Sequence, residues 1–152
     1  YFCITTQTGF DGISQIFRKP LAVIAVPVAI RISYKKALFI TKHHICKKTN
    51  QEITLSEIFK RKLHLALRTD SYIKENINLV DPSSEEIKEL VSEMLYILNS
   101  EEQFNLPIDN DQAIIKKIYN INLMRNNESH IIGKFQGRYS KHFLKKHPNF
   151  LE

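Results

Sequence analysis

The stretch that decides the fold is YFCITTQTGFDGISQIFRKPLAVIAVP, from Tyr1 to Pro27. Tyr1 to Thr5 is a short apolar and β-branched run that predicts a buried strand. Asp11 to Phe17 places its apolar residues on one helical face and begins with an acid, which suits the positive end of a helix. Leu21 to Val28 is almost wholly apolar, as in a strand that is covered on both faces of a parallel sheet. The order strand, helix, strand predicts that the two strands are parallel neighbours joined by the helix.

The sequence begins within the first strand, with no initiator methionine and no N-terminal cap before it. We therefore expect the chain to be the C-terminal part of a longer α/β protein. A sheet that lacks its preceding strands has an open apolar edge that is prone to association. We expect the isolated chain to be marginally stable and catalytically inactive.

Composition is that of an ordinary globular chain, because 43% of the 152 residues are hydrophobic and 25% are charged. The net charge of +6 has two readings: solvated lysines, or attraction to an anionic nucleotide or a membrane surface. The basic residues form no stripe with interleaved aromatics, so we expect no nucleic-acid partner. Cys3 and Cys46 are too few for a disulfide framework and fit a reducing compartment. The longest apolar run, Leu21 to Ile30, is too short to span a bilayer.

The middle of the chain predicts a short strand at Ala37 to Ile40 and a polar, basic loop from Thr41 to Glu52. Thr54 with Glu57 matches a capping box, and we expect the helix that it opens to extend to about Leu67. A short edge strand is predicted later, over residues 77–80.

The clearest helix follows and is capped by Ser83 or Ser84. Its apolar stripe consists of Ile87, Leu90, Val91, Met94, Leu95 and Leu98. A polar linker, Asn99 to Asn110, leads to a second amphipathic helix, Asp111 to Met124. We expect four of its isoleucines to face inward: Ile114, Ile115, Ile118 and Ile121.

The last part of the chain predicts a loop from Asn126 to Gly137 and a short helix from Arg138 to Lys146, which His147-Pro148 ends. The order of all these elements predicts a truncated Rossmann-like α/β domain with a parallel sheet over residues 1–98. Residues 99–152 are predicted to form a mainly helical C-terminal extension that packs on it.

The turn from Thr5 to Phe10 lies where ligands bind in open α/β sheets, outside the carboxyl end of a strand. A helix N-terminus offers unpaired N–H groups that suit phosphate, and Gly9 lets the backbone approach closely. The hydroxyls of Thr5, Thr6 and Thr8 add donors. A strand, turn and helix with one glycine are also common without a ligand, so the residues alone leave both readings open.

Four segments carry a resemblance: TTQTGFDGISQIFRKPLAVIAVP, ITLSEIF, LVDPSSEEIKELVSEML and SKHFLKKHPNFLE. In this order they resemble TSG-x-x-x-x-x-x-F-x-K-P, L-T-x-x-E-I, E-N-[TS]-x-E-E-I-x-x-x-V-x-E-M and F-L-x-x-[NH]-x-x-[FL]-L. These are motifs of bacterial nucleotide-sugar glycosyltransferases with the GT-B fold, and most of all of a family that makes surface polysaccharides. They span most of the chain. Thr8 stands where the motif has Ser, and Asp81-Pro82 stands where it has Glu-Asn.

The resemblance implies that Thr6, Thr8, Gly9 and Phe10 bind the diphosphate of a nucleotide-diphospho-sugar donor, with residues 1–98 as the donor-binding domain. Two other interpretations of Phe10 stay open: it either packs in the core or stacks on the nucleobase. Asp11 is either a ribose ligand or a helix-start charge. Glu57 is a further candidate, although a capping role accounts for it as well.

The implied protein is a glycosyltransferase that transfers a sugar to a cell-surface glycan. Its glycan or lipid-linked acceptor would bind through an N-terminal domain, and no cofactor or metal is expected. We expect a cytoplasmic location, with peripheral association at the inner face of the cell membrane compatible with the charge. Two alternatives stay open: a nucleotide-sugar epimerase of the same fold, and a helical interaction module without catalytic activity.

Other polar residues have simpler interpretations. His43-His44 with Cys46 is interpreted as a solvated loop rather than a metal site, because adjacent histidines rarely converge on one ion. A contact to phosphate or to the acceptor is the remaining alternative for these residues. Ser129 and His130 are interpreted as an incidental pair. Glu85 and Glu86 are interpreted as structural acids in the first turn of their helix.

Overall fold

The computed structural model describes residues 1–7, 9, 11–28, 34–101, 103–125 and 135–152. These residues form an α/β fold with two sheets and six α-helices. Three short 3-10 segments complete it, at Leu63–Leu65, Gln103–Asn105 and Pro148–Leu151. The predicted α/β class is confirmed.

The main sheet consists of β1 (Cys3–Thr5), β2 (Leu21–Val26), β3 (Ala37–Thr41) and β7 (Arg138–Tyr139). All neighbours are parallel, and the spatial order is β1, β2, β3, β7. Helix α1 (Asp11–Ile16) connects β1 to β2. The predicted parallel pairing of the first two strands is confirmed, with Cys3 beside Leu21.

The core lies on both faces of β2 and β3. Leu21, Ala22 and Val23 are completely buried, as are residues 37–40 of β3. One covering element is the helix that follows Ser83, which packs on both strands. This two-sided cover explains why both strands read as continuous apolar runs. By contrast, helix α1 has no buried residue.

A second, antiparallel sheet has β4 (His43–Cys46) in the centre, with β5 (Gln51–Glu52) on one side and β6 (Ile77–Val80) on the other. The loop expected from Thr41 to Glu52 is therefore wrong, while the predicted edge strand at residues 77–80 is confirmed. Polarity misled the prediction because the polar side chains of β4 are buried against other polar groups.

The helices of the middle region are shorter than predicted. Helix α2 spans Leu55–Lys60 and is followed by α3 at Thr69–Lys74, which the sequence did not predict. The expected continuation to Leu67 is wrong. Lys62 adopts a left-handed backbone with φ of 56°, which ends the α-helical run and turns the chain into a 3-10 segment.

Two long helices match their predictions in extent, α4 at Ser84–Asn99 and α5 at Asn110–Arg125. Ser83 is the N-cap of α4, with a full capping box to Glu86. The predicted apolar faces of the two helices are partly wrong, because Leu95, Ile114 and Ile121 are exposed. The buried positions of α4 are Glu86, Leu90, Glu93, Met94 and Ile97, and those of α5 are Gln112, Ile115 and Tyr119.

The C-terminal segment contains a strand that the sequence analysis took for helix. Residues 138–139 form β7, and the last helix, α6, spans Lys141–Lys146 with Ser140 as its cap. Gln112 of α5 bonds both backbone groups of Tyr139: its Nε2 donates to the carbonyl at 2.8 Å, and its Oε1 accepts from the N–H at 3.1 Å. The glutamine thus pairs the free edge of β7 in place of a further strand.

No helix in the described ranges is both long enough and apolar enough to cross a membrane. Residues 126–134 of the predicted loop, including Ser129 and His130, lie outside the described residues.

Candidate functional site

A cavity of about 450 Å³ lies at the carboxyl ends of β1 and β2. Its walls come from three segments: the turn after β1, the end of β2, and the connection from α2 to α3. The lining residues are Thr6, Gln7, Gly9, Asp11, Val26, Pro27, Val28, His64, Ala66, Leu67 and Tyr72. The volume is within the range of small-molecule sites.

The turn after β1 supplies three of the predicted site residues to this cavity, namely Thr6, Gly9 and Asp11. The other two, Thr8 and Phe10, lie outside the described residues. The sequence analysis therefore anticipated the edge of the sheet at which the cavity lies.

Asp11 organises the turn. Its Oδ1 accepts the N–H of Gly9 at 3.0 Å, and its Oδ2 lies 3.5 Å from Nε2 of Gln15. Gly9 has a φ of +92°, a conformation that side-chain-bearing residues rarely adopt. The Asp11 carboxylate thus takes the acceptor position that an incoming phosphate oxygen would need at the Gly9 N–H. These contacts match the helix-start reading of Asp11.

The opposite wall is formed by residues that the sequence analysis did not single out. Tyr72 of α3 donates its hydroxyl to the Leu63 carbonyl at 3.1 Å. Burial raises the pKa of Tyr72 to about 12, which keeps the hydroxyl protonated. His64 is buried and packs on Phe59, with ring centroids 4.5 Å apart. The sequence analysis could not assign Tyr72 and His64 to the cavity, because it did not predict helix α3.

Glu57 lies outside this lining. Thr54 caps α2 by accepting the N–H of Glu57 at 3.2 Å. The Glu57 carboxylate does not complete the predicted capping box with Thr54, and instead pairs with Arg61, whose Nε donates at 3.0 Å. Arg61 also reaches the Glu75 carbonyl at 3.3 Å. These contacts give Glu57 a structural role in the region after α2.

A second, polar site joins His43, Glu52, Glu86 and His147, none of which lines the first cavity. Nδ1 of His43 and Nδ1 of His147 each lie 2.9 Å from a different oxygen of Glu52. Nε2 of His147 lies 2.9 Å from Glu86, and Nε2 of His43 lies 3.3 Å from it. The two imidazoles are thus held between two carboxylates.

The interpretation of His43-His44 as a solvated loop is wrong, since both residues are buried in β4. They point to opposite faces, as neighbours in a strand do. His43 joins the polar site, whereas His44 packs near Tyr72 and its Nδ1 lies 3.1 Å from the Lys42 carbonyl. The first-turn role expected for Glu86 is confirmed, and the contacts to the two histidines are additional.

Electrostatics within the polar site favour charged pairs. The hydrogen bond to Glu52 is the main reason that the pKa values of His43 and His147 are raised. Burial by itself would raise the pKa of Glu52, but the hydrogen bonds from His147 and His43 outweigh it and bring the pKa to about 2. For Glu86, burial is likewise outweighed by hydrogen bonds from Ser83 and His147, and its pKa is also about 2.

Comparisons of the chain with models of protein families, with curated proteins and with solved structures find no match.

Proposed function

We propose that the chain is the donor-binding part of a glycosyltransferase with a GT-B-like, Rossmann-like architecture, and that its cavity binds a nucleotide-diphospho-sugar. One observation carries the proposal. The turn that bears the glycosyltransferase-like motif also lines the cavity, at the carboxyl ends of two parallel strands. That position is where ligands bind in open α/β sheets.

The chemistry of the lining fits such a donor. Thr6 offers a hydroxyl and the turn offers backbone N–H groups for the diphosphate. Ala66, Leu67 and Val28 offer apolar surface for a nucleobase. Binding of the diphosphate would replace the contact between Asp11 and the Gly9 N–H, because both need the same donor. Asp11 would then be free to accept from another group, such as a ribose hydroxyl.

In this proposal the protein's share of catalysis is electrostatic. Charge develops on the diphosphate as the sugar leaves, and fixed N–H and hydroxyl donors stabilise it more in the transition state than in the ground state. The reaction would use no metal at this site. A glycan or lipid-linked acceptor would bind to a further domain, and the product would be a cell-surface glycan made at the inner face of the membrane.

Calorimetric titration with UDP-, GDP- and dTDP-sugars tests the proposal in the parent chain and in two glycine variants. Gly9→Val forces a branched side chain onto a φ of +92°, although an added Cβ would meet nothing within 4 Å. The substitution therefore acts on the conformation of the turn rather than through a clash. Gly12→Ala is the matched control, because Gly12 lies in α1 and its Cβ would also meet nothing within 4 Å.

We expect the parent chain and Gly12→Ala to bind the same donor equally, and Gly9→Val to bind it at least about tenfold more weakly, a loss of about 1.4 kcal/mol. Circular dichroism checks that each variant is folded. A folded Gly9→Val that binds like the parent would place the donor elsewhere. Absence of binding by the parent to every donor would reject the proposal.

A further inference from the structure

The second polar site has a composition and geometry that the proposed donor site does not use. We propose that His43, Glu52 and His147 bind a divalent transition-metal ion through the two Nδ1 atoms and the Glu52 carboxylate, with Glu86 holding both histidines in place. One potential ligand atom from each of the three residues lies within 4.8 Å of the others. This inference is independent of the proposed donor site.

The ligand types select the class of metal. Imidazole nitrogen with carboxylate oxygen suits Zn²⁺ and its first-row neighbours, whereas Mg²⁺ and Ca²⁺ prefer oxygen ligands alone. The carboxylates of Glu52 and Glu86 carry a charge of −2, which one divalent cation balances when both imidazoles are neutral. Cys46 lies three residues further along β4, so no soft thiolate is part of the set.

The distances need little adjustment. Ligand atoms at about 2.1 Å from a tetrahedral Zn²⁺ are about 3.4 Å from each other. In the structure the two Nδ1 atoms are each 2.9 Å from a Glu52 oxygen. Each Nδ1 would therefore move about half an ångström away from its own Glu52 oxygen. The ligand atoms of all three residues, now within 4.8 Å of one another, would close around the ion by side-chain rotation.

Glu86 is placed to orient the two histidines when they bind a metal ion. With Nδ1 on the metal, each imidazole carries its proton on Nε2, and a carboxylate that accepts from it fixes the ring orientation. Glu86 lies 2.9 Å from Nε2 of His147 and 3.3 Å from Nε2 of His43. Glu86 is itself held by the N–H and the hydroxyl of Ser83, at 2.8 and 2.7 Å.

The surroundings leave room for a further ligand. A cavity of about 400 Å³ adjoins the cluster and is also lined by Ile45, Val80 and Lys146. The ammonium of Lys146 is paired with Glu89 at 2.8 Å. Three protein ligands beside such a cavity leave a coordination position for water or a small ligand.

Titration of the chelator-treated chain with Zn²⁺ and Co²⁺, with Mg²⁺ as the comparison, tests the site. We expect one Zn²⁺ or Co²⁺ per chain and no Mg²⁺ binding. Glu52→Gln should abolish binding, and Glu86→Gln should weaken it by about 10- to 100-fold. Glu85→Gln, next to Glu86 in α4, and His142→Gln, in the helix that precedes His147, are the controls, because both residues are exposed, and they should bind like the parent.

A gain-of-signal variant covers the case in which Glu52→Gln does not fold. His147→Cys replaces one imidazole ligand by a thiolate, and its Co²⁺ complex should show a thiolate-to-cobalt charge-transfer band in the near ultraviolet that the parent complex lacks. Absence of that band in the Co²⁺-treated variant, or metal binding by the parent no tighter than by Glu52→Gln, would overturn the proposal. The cluster would then be an ion-pair network only.

Discussion

His43 and His44 are adjacent residues with opposite electrostatic environments. His43 faces the carboxylate of Glu52, and the hydrogen bond to it raises the pKa of the imidazole. His44 faces the core, where burial lowers its pKa to about 4. The alternation of a strand separates the two rings, so one favours the charged form and the other the neutral form.

A pH-dependent loss of stability follows from His44. The pKa of His44 is about 6.5 in the unfolded chain and about 4 in the folded chain. Between pH 6.5 and 4.5 the imidazole therefore binds a proton in the unfolded chain but stays neutral in the folded chain. Stability should fall by about 2 kcal/mol as the pH drops through this range. Urea unfolding with a chelator present measures it, and His44→Phe should remove that part of the slope.

Between pH 6.5 and 4.5 the effect of His44 can be distinguished from that of the polar site. Glu52 and Glu86, with pKa values of about 2, contribute stability that is lost only below about pH 4.5. His43 and His147 have raised pKa values, so their contribution is present below pH 6.5 and is lost as the pH rises above it. An equal slope in the parent and in His44→Phe would contradict the assignment.

The two candidate sites differ in how well the sequence alone could predict them. The turn at Thr6, Gly9 and Asp11 was predictable because its residues are contiguous and follow an apolar strand. The polar site was not predictable, because His43 and His147 lie far apart in the chain and each has an ordinary local reading. Only the tertiary fold brings them to the same carboxylates.

Among the elements, prediction succeeded where apolar residues form a continuous run or a regular stripe. This was so for the positions of β1, α1 and β2 and for the extent of α4. The expectation that β1 is buried is wrong, because Ile4 is 49% exposed. It failed for β4, whose buried polar side chains look like a loop. It also failed for β7, a strand of two residues that carries no periodic pattern. In each failure a long-range polar contact replaced the local apolar signal.

The pairing of β7 by Gln112 gives a test of this point. Gln112→Leu is similar in size but removes both hydrogen bonds from the Gln112 side chain to the buried N–H and carbonyl of Tyr139. We expect a loss of about 2–4 kcal/mol in the free energy of unfolding, measured by urea denaturation. Asn120→Leu, at an exposed position of the same helix, should change it by no more than about 0.5 kcal/mol. Similar values for the two variants would show that Gln112 contributes little to the edge of the sheet.

At the scale of the molecule, the two candidate sites are built on different sheets. The cavity that we propose as the donor site lies at the carboxyl edge of the parallel sheet, whereas the metal-binding proposal concerns the antiparallel sheet and the C-terminal segment. The exposed helix α1 and the residue after it place Ile13, Ile16 and Phe17 on the surface next to β1. This apolar surface agrees with the sequence expectation that the isolated chain associates, and that expectation stays a prediction.

The proposed function requires that a nucleotide diphosphate binds at the carboxyl edge of the parallel sheet. Backbone-amide NMR titration of the chain with UDP, GDP and dTDP is the decisive test, since the diphosphate is common to all three. We expect saturable shifts at the amides of Thr6, Gly9 and Asp11, together with those lining the opposite wall near Leu67. Saturable shifts that leave this turn unchanged, or no shifts with any of the three nucleotides, would contradict it.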